Sequence, residues 1–263
     1  MSPLLEIRDL HHNFGGVTAA DGLNLSVTRG TAHGLIGPNG AGKTTAFNLI
    51  TGLYTPAAGQ ILFEGQDVSR LPSHKRARLG IARTFQTPRL FEDMTALETV
   101  LAGRFVHGEI GLLGSMFRGP AKWREDRRNR EVAWAILDRV GLQAQAGTLA
   151  RNLSYGHRRQ LEIGRALALE PKLLLLDEVA AGINPVETKQ IETLIHEIVA
   201  SGVTVLLVEH DMPFVMGLCR ELTVMNFGKT IAEGSPQDIQ RNETVIEAYL
   251  GKSARKELKE GSL

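Results

Sequence analysis

Hydrophobic and polar residues alternate along Leu4–Leu10 and Leu23–Val27, the period of a strand with one covered face. Ala32–Ile36 is a short apolar run that feeds a glycine-rich turn, and Lys43–Ile50 after that turn reads as a helix. Ile61–Phe63 and Ile81–Phe85 are further short strands. From about Thr87 to Ala168 the pattern changes. Strand signals stop, and Val132, Ile136, Leu137 and Val140 fall on one helical stripe. A second helix carries Leu161, Ile163 and Leu167. Gly103–Arg124, rich in glycine with scattered Phe, Met and Trp, reads as an irregular connection or insertion. After Pro171 the alternation of strand and helix resumes. Lys172–Leu176 and Val203–Val208 are apolar strands, and the helix between them buries Ile191, Leu194, Ile195, Ile198 and Val199. Asn184-Pro185-Val186-Glu187 starts that helix with a cap, a proline at the first helical position and a glutamate one turn on. Ser235-Pro236-Gln237-Asp238 is a second start of the same kind, and Asp211 is placed to cap a third helix. The pattern predicts an α/β chain. A mainly parallel sheet is flanked by helices and interrupted by a helical insertion between Gly37–Thr45 and Asp177.

Composition narrows the partners. A chain of 263 residues is long enough to bury a sizeable core. The net charge of +1, with no dense basic block before the tail, gives no support to nucleic-acid binding. The single Cys219 excludes an internal disulfide framework and fits a reducing compartment. No leading charged-then-apolar segment resembles a signal peptide, and runs such as Leu173–Leu176 are too short to span a bilayer. A role at a membrane would need another subunit to carry the chain there. The residues from Lys252 to Leu263 form a charged tail expected to be flexible.

The chemistry starts at Gly37-Pro38-Asn39-Gly40-Ala41-Gly42-Lys43-Thr44, followed by Thr45, which fits G-x-x-x-x-G-K-[ST] in full and sits between a strand and a helix. Its glycines let backbone N–H groups converge on phosphate oxygens at a helix N-terminus. Lys43 would neutralise the β- and γ-phosphates, and Thr44 would place its hydroxyl on Mg²⁺. Leu173–Leu176 delivers Asp177 to the metal side of those phosphates. Glu178, one residue on, points elsewhere and is placed to orient and polarise a water. The alternative for the Asp177-Glu178 pair is a strand-end cap or surface ion pair. Gln86, where the insertion begins, would reach Mg²⁺ or the water through its amide oxygen, or is a plain polar loop residue. His210, at the end of Val203–Val208, would hold the γ-phosphate or is a structural histidine. Ser154-Tyr155-Gly156 opens a helix. It is either a simple N-cap or a second anion site, and in the second case one nucleotide is shared between this turn and the glycine-rich loop of another subunit.

In this order, Gly37–Thr45, Gln86, Leu153-Ser-Tyr-Gly-His157, Leu173–Glu178 and His210 resemble the ATP-binding subunits of ABC transporters across nearly the whole chain. Arg83–Phe91, the tyrosine at 155, Ala180–Pro185 and Val245–Gly251 are similar to the LivG/BraF type, from bacterial branched-chain amino-acid importers. The resemblance implies a P-loop NTPase (RecA-like) core over 1–86 and 169–251, with an antiparallel β-subdomain and a helical subdomain over about 87–168. It implies a head-to-tail dimer with ATP and Mg²⁺ at the interface. Lys43, Thr44, Gln86, Asp177, Glu178 and His210 then take the phosphate, metal, catalytic-carboxylate and switch-histidine roles. Phe14 falls where the family places an adenine-stacking aromatic, and reads equally as a core or turn aromatic. The implied partners are a sibling ATPase (LivF-like) or a second copy, two transmembrane permease subunits and, indirectly, a periplasmic solute-binding protein. The implied location is the cytoplasmic face of the inner membrane. Tyr155 departs from the usual glycine, Val179 from a usual proline and Asn184 from a usual aspartate, and none removes the catalytic set. Lipopolysaccharide export and a soluble, non-transport ABC ATPase are the alternatives.

Overall fold

A computed structural model describes residues 3–86, 90–107 and 120–249. Along the chain come β1 (Pro3–Phe14), β2 (Val17–Thr28), β3 (Ala32–Ile36), α1 (Lys43–Ile50), β4 (Ala58–Phe63), β5 (Gln66–Asp67), α2 (Ser73–Leu79) and β6 (Ile81–Arg83). They are followed by α3 (Ala96–Gly103), α4 (Pro120–Arg139), α5 (Tyr155–Leu167), β7 (Leu173–Asp177) and α6 (Pro185–Ala200). The last elements are β8 (Thr204–Val208), α7 (Met212–Leu218), β9 (Glu221–Asn226), β10 (Lys229–Gly234) and α8 (Pro236–Arg241). The chain forms two compact units, one made of Met1–Arg76 with Ile198–Leu263 and the other of Ala77–Glu197.

In the first unit β1 and β2 pair antiparallel, with Leu5 opposite Val27, Ile7 opposite Leu25 and Leu10 opposite Leu23. All six side chains are buried, which is what their alternation predicts. β4 adds antiparallel to the other edge of β1, and β5 follows it. A second set of strands runs in the order β10-β9-β3-β8. β3 pairs parallel with β8 and β9. Every residue of β3 and of β8 is buried, so both read as unbroken apolar runs rather than alternations.

β10 returns antiparallel against β9. This hairpin is absent from the sequence reading. Its turn, Phe227-Gly228, has φ of 46° and 78°. Two left-handed residues suit a tight hairpin, but phenylalanine is not the residue that advertises one. α2 also escapes the pattern, because the residue it buries is Arg76 rather than an apolar one. The Arg76 guanidinium donates to Leu49 O and Ile50 O at the C-terminal end of α1, and to Ser69 O and Leu71 O. A cation there complements the helix dipole.

In the second unit β6 and β7 are parallel, with Ile81 opposite Leu173 and Arg83 opposite Leu175. Parallel pairing brings the ends of both strands to one edge. α3 starts on a capping box of Thr95 and Glu98. Gly103 ends α3 where a β-carbon would lie 2.5 Å from Arg165 O of α5, so α3 and α5 approach closely. Ile136 of α4 and Val140 just after it lie against Gly164 of α5. Pro120–Arg124, expected to be irregular, belongs to α4, while 108–119 lie outside the described residues, as do 87–89 and the tail from 250. The predicted cap of α6 is present. Asn184 Oδ1 accepts from Val186 N and Glu187 N, and Glu187 Oε2 accepts from Asn184 N. Among the described residues no helix is long and apolar enough to cross a membrane.

Candidate active site

In the first unit β3 runs directly into Gly37–Gly42, and α1 begins at Lys43. The loop turns on glycines for steric reasons. A β-carbon on Gly37 would lie 2.1 Å from Met225 O, and one on Gly42 would lie 2.4 Å from Ala19 O. Gly40 and Gly42 have φ of 81° and 104°, which other residues adopt only under strain. Lys43 is buried, and its Nζ donates to Gly37 O at 2.6 Å and Pro38 O at 3.1 Å, so the lysine ties the loop into a ring. α1 has no side-chain cap and no acidic residue in its first turn. An uncapped helix start beside a lysine, with nothing acidic to repel an anion, fits a polyphosphate. Thr44 is exposed at that start and Thr45 is half-buried, as is Pro38, while Asn39 is exposed and Ala41 buried. Near the end of the described chain, the phenol of Tyr249 takes a hydrogen bond from the Gly37 backbone, and burial pushes its pKa up.

Phe14 is 43% exposed and so is not a core aromatic. Its ring meets His12 edge-on at 4.6 Å and Tyr54 edge-on at 5.1 Å, while His12 and Tyr54 stack. Sequence reasoning missed His12 and Tyr54. The alternation of β1 would have found His12, since it lies two residues from Phe14 on the same face. His210 is exposed just beyond β8, with its N–H donating to the buried Glu209 carboxylate, and Asp211 caps α7 through Phe214 N.

In the second unit the shared edge of β6 and β7 carries the carboxylates. Asp177 is buried and its Oδ2 accepts from Arg83 Nη2 at 2.8 Å. The Asp177 N–H donates to Thr84 Oγ1. Glu178 turns away from it with φ of 48°, a left-handed value that costs a glutamate strain and marks a position held by its surroundings. Gln86 Nε2 donates to Glu178 Oε2 at 2.6 Å. That bond orients the amide and leaves its Oε1, a hard oxygen donor of the kind Mg²⁺ prefers, as does the carboxylate of Asp177. Arg83 was not foreseen as the partner of Asp177. The two are far apart in sequence, and only the parallel pairing of β6 with β7 makes them neighbours.

Ser154 caps α5, its Oγ accepting from His157 N at 3.2 Å. Gly156 faces Glu187 so closely that a β-carbon would lie 2.3 Å from Oε1. Tyr155 lies over Gly182 in the loop that follows Glu178. The turn and that loop therefore support each other within one chain.

The chain matches the ABC transporter family over residues 20–181. The chain belongs to the ABC transporter family. This cassette also matches the branched-chain amino acid ATP-binding cassette transporter model over residues 229–255. It is 44% identical to the high-affinity branched-chain amino acid transport ATP-binding protein BraF of Pseudomonas aeruginosa, over 95% of this chain and 99% of that one. It is 42% identical to the corresponding protein LivG of Escherichia coli K12, with the same coverage. A crystal structure of an ATP-binding cassette of an ABC transporter in its ADP conformation superposes with a TM-score of 0.83 at 34% identity, covering 96% of this chain and 100% of that one. The cassette is thus an α/β P-loop ATPase that binds and hydrolyses ATP as the nucleotide-binding subunit of a transporter.

Proposed function

We propose that the cassette powers uptake of branched-chain amino acids across a bacterial inner membrane, from its cytoplasmic face. The observation that carries this reading is the similarity to BraF and LivG, which spans the whole cassette and is joined by the branched-chain match over 229–255. The lipopolysaccharide-export reading rests on a weaker similarity, 36% identity over 95% of this chain.

In this reading 1–86 and 169–251 form the RecA-like core, about 87–168 the helical subdomain and 252–263 a charged tail. Gly37 and Pro38 open the loop, and backbone N–H groups of Asn39, Gly40, Ala41, Gly42 and the start of α1 hold the phosphates, with Lys43, Thr44 and Thr45, while the Phe14 face takes adenine. Thr44, Gln86 and Asp177 offer hard oxygens to Mg²⁺, which supplies charge neutralisation at the β- and γ-phosphates. Glu178 polarises the attacking water, Gln86 fixes the carboxylate that does so, and His210 holds the γ-phosphate side. Support comes from the strained backbone of Glu178 and its short bond to Gln86. Ser154, Tyr155 and Gly156 close on the ATP of a partner, a LivF-like sibling or a second copy. Two permease subunits receive the motion, and a periplasmic solute-binding protein delivers cargo.

The test is reconstitution with the co-purified membrane subunits in proteoliposomes. ATP turnover stimulated by leucine-loaded binding protein is expected, and turnover indifferent to every branched-chain amino acid would remove the assignment of cargo.

A further inference from the structure

The buried polar residues of α5 do more than hold the helix in place. Arg159 and Glu162 are each 1% exposed, and lie three apart on one face of α5. Together they grip a single residue of the loop after β6. Glu162 Oε1 accepts from Phe85 N at 3.1 Å, and Arg159 Nη1 donates to Phe85 O at 3.0 Å. Phe85 O belongs to the peptide bond that leads into Gln86. The other terminal nitrogen of Arg159, Nη2, donates to the Tyr155 hydroxyl at 2.8 Å, and its guanidinium lies 5.2 Å from the Tyr155 ring centroid.

These contacts close a ring. Tyr155 rests against Gly182 in the loop after Glu178, Glu178 accepts from Gln86, Gln86 follows Phe85, and Phe85 is held by Arg159, which holds Tyr155. The ring has exposed residues at three places, Tyr155, Gly182 and Gln86. Between Tyr155 and Gln86 on the Arg159 side, Arg159 is buried and Phe85 half-buried. A push on the Tyr155 hydroxyl therefore reaches the Gln86 amide through a rigid planar fork, not a flexible chain.

We propose that Arg159 is a positioning residue that transmits the state of the Ser154-Tyr155-Gly156 turn to the Gln86–Glu178 pair of the same chain. The proposal rests on the reading of that turn as the part that meets a partner's ATP. Under it the turn acts in two directions. It closes on the neighbour's nucleotide, and through Tyr155 and Arg159 it sets the geometry of its own chain's water-activating carboxylate. The tyrosine hydroxyl is the element that makes this possible, since a glycine at 155 would leave Arg159 Nη2 with nothing to follow.

The test is a double-substitution cycle on the full chain purified with its partner subunits, reading kcat and KM for ATP and the melting temperature. Tyr155→Phe keeps the ring over Gly182 and removes only the acceptor. Arg159→Lys keeps the charge and loses the fork. Each is expected to lower kcat about 5- to 10-fold with KM within about twofold, and the double variant to be no worse than the weaker single variant, because both cut one link. Losses that multiply, or a change confined to KM, would overturn the link. Should Arg159→Lys fail to fold, Tyr155→Phe in a Gln86→Ala background replaces the cycle. No further fall in kcat supports transmission through Gln86, and an undiminished fall overturns it. A wild-type complex with no ATP turnover would overturn the proposed function and the link with it. Wild-type turnover with multiplying losses would overturn the link alone.

Discussion

Glu178 combines an unfavourable left-handed backbone with a 2.6 Å bond to Gln86. Nothing about folding asks for a glutamate in that conformation, so its carboxylate is where a substitution should separate activity from stability. Glu178→Gln is expected to lower ATP turnover about 100-fold, or roughly 3 kcal/mol in barrier height. Nucleotide binding, read by isothermal titration, should be retained. A second prediction concerns His33, in β3 just ahead of the phosphate loop. Burial lowers its pKa from the usual 6.5 to about 4. Its Nε2 meets Thr223 Oγ1 at 2.8 Å, Nδ1 faces Glu221 at 3.9 Å, and Thr223 leads on to Glu233. The folded state keeps His33 neutral where the unfolded chain takes up a proton. Stability from this group is therefore full above about pH 6.5 and falls as pH drops towards 4, by on the order of 3 kcal/mol. Glu233 works the other way, because burial raises its pKa and the folded state gains its proton first. Urea unfolding of the wild type and His33→Gln at pH 7 and pH 4.5 isolates the histidine. The wild type should lose more stability than the variant, and equal losses would remove His33 as the cause.

Elements differ in how openly the sequence announces them. α1 is legible to the residue because a glycine-rich turn ends where its first residue, Lys43, begins. α6 was read from its cap, and the predicted capping box is there. Asn184→Ala removes the acceptor for two backbone N–H groups and should cost about 1 kcal/mol by chemical denaturation. A cost near zero would mean that water caps the helix equally well. The hairpin β9–β10 and the helix α2 were illegible for definite reasons. Phe227 occupies a left-handed turn position that its side chain disfavours, and α2 buries an arginine where a periodicity search looks for an apolar residue. The candidate site divides along the same line. Gly37–Thr45, Asp177 and Glu178 lie in local patterns. The partners that orient them, Arg83 for Asp177 and Arg159 for Phe85, lie in other elements and carry no local signature.

For the whole molecule the sharpest expectation concerns cargo. In the native host, loss of this chain should abolish high-affinity uptake of leucine, isoleucine and valine, and leave urea uptake unchanged. Uptake assays with labelled solutes decide it, and the opposite pattern would reassign the cargo while leaving the ATPase intact. The contact between Tyr249 and Gly37 bears on how such proteins can be re-engineered. Tyr249 falls inside the stretch that matches the branched-chain amino acid ATP-binding cassette transporter model, and Gly37 opens the loop shared by nucleotide-binding proteins at large. Grafting that terminal stretch from one transporter to another is thus never a change of address alone. The graft also replaces the side chain that meets Gly37 where the phosphate loop begins, and chimeras should be screened for altered ATP affinity before any change in cargo is credited to the exchanged segment.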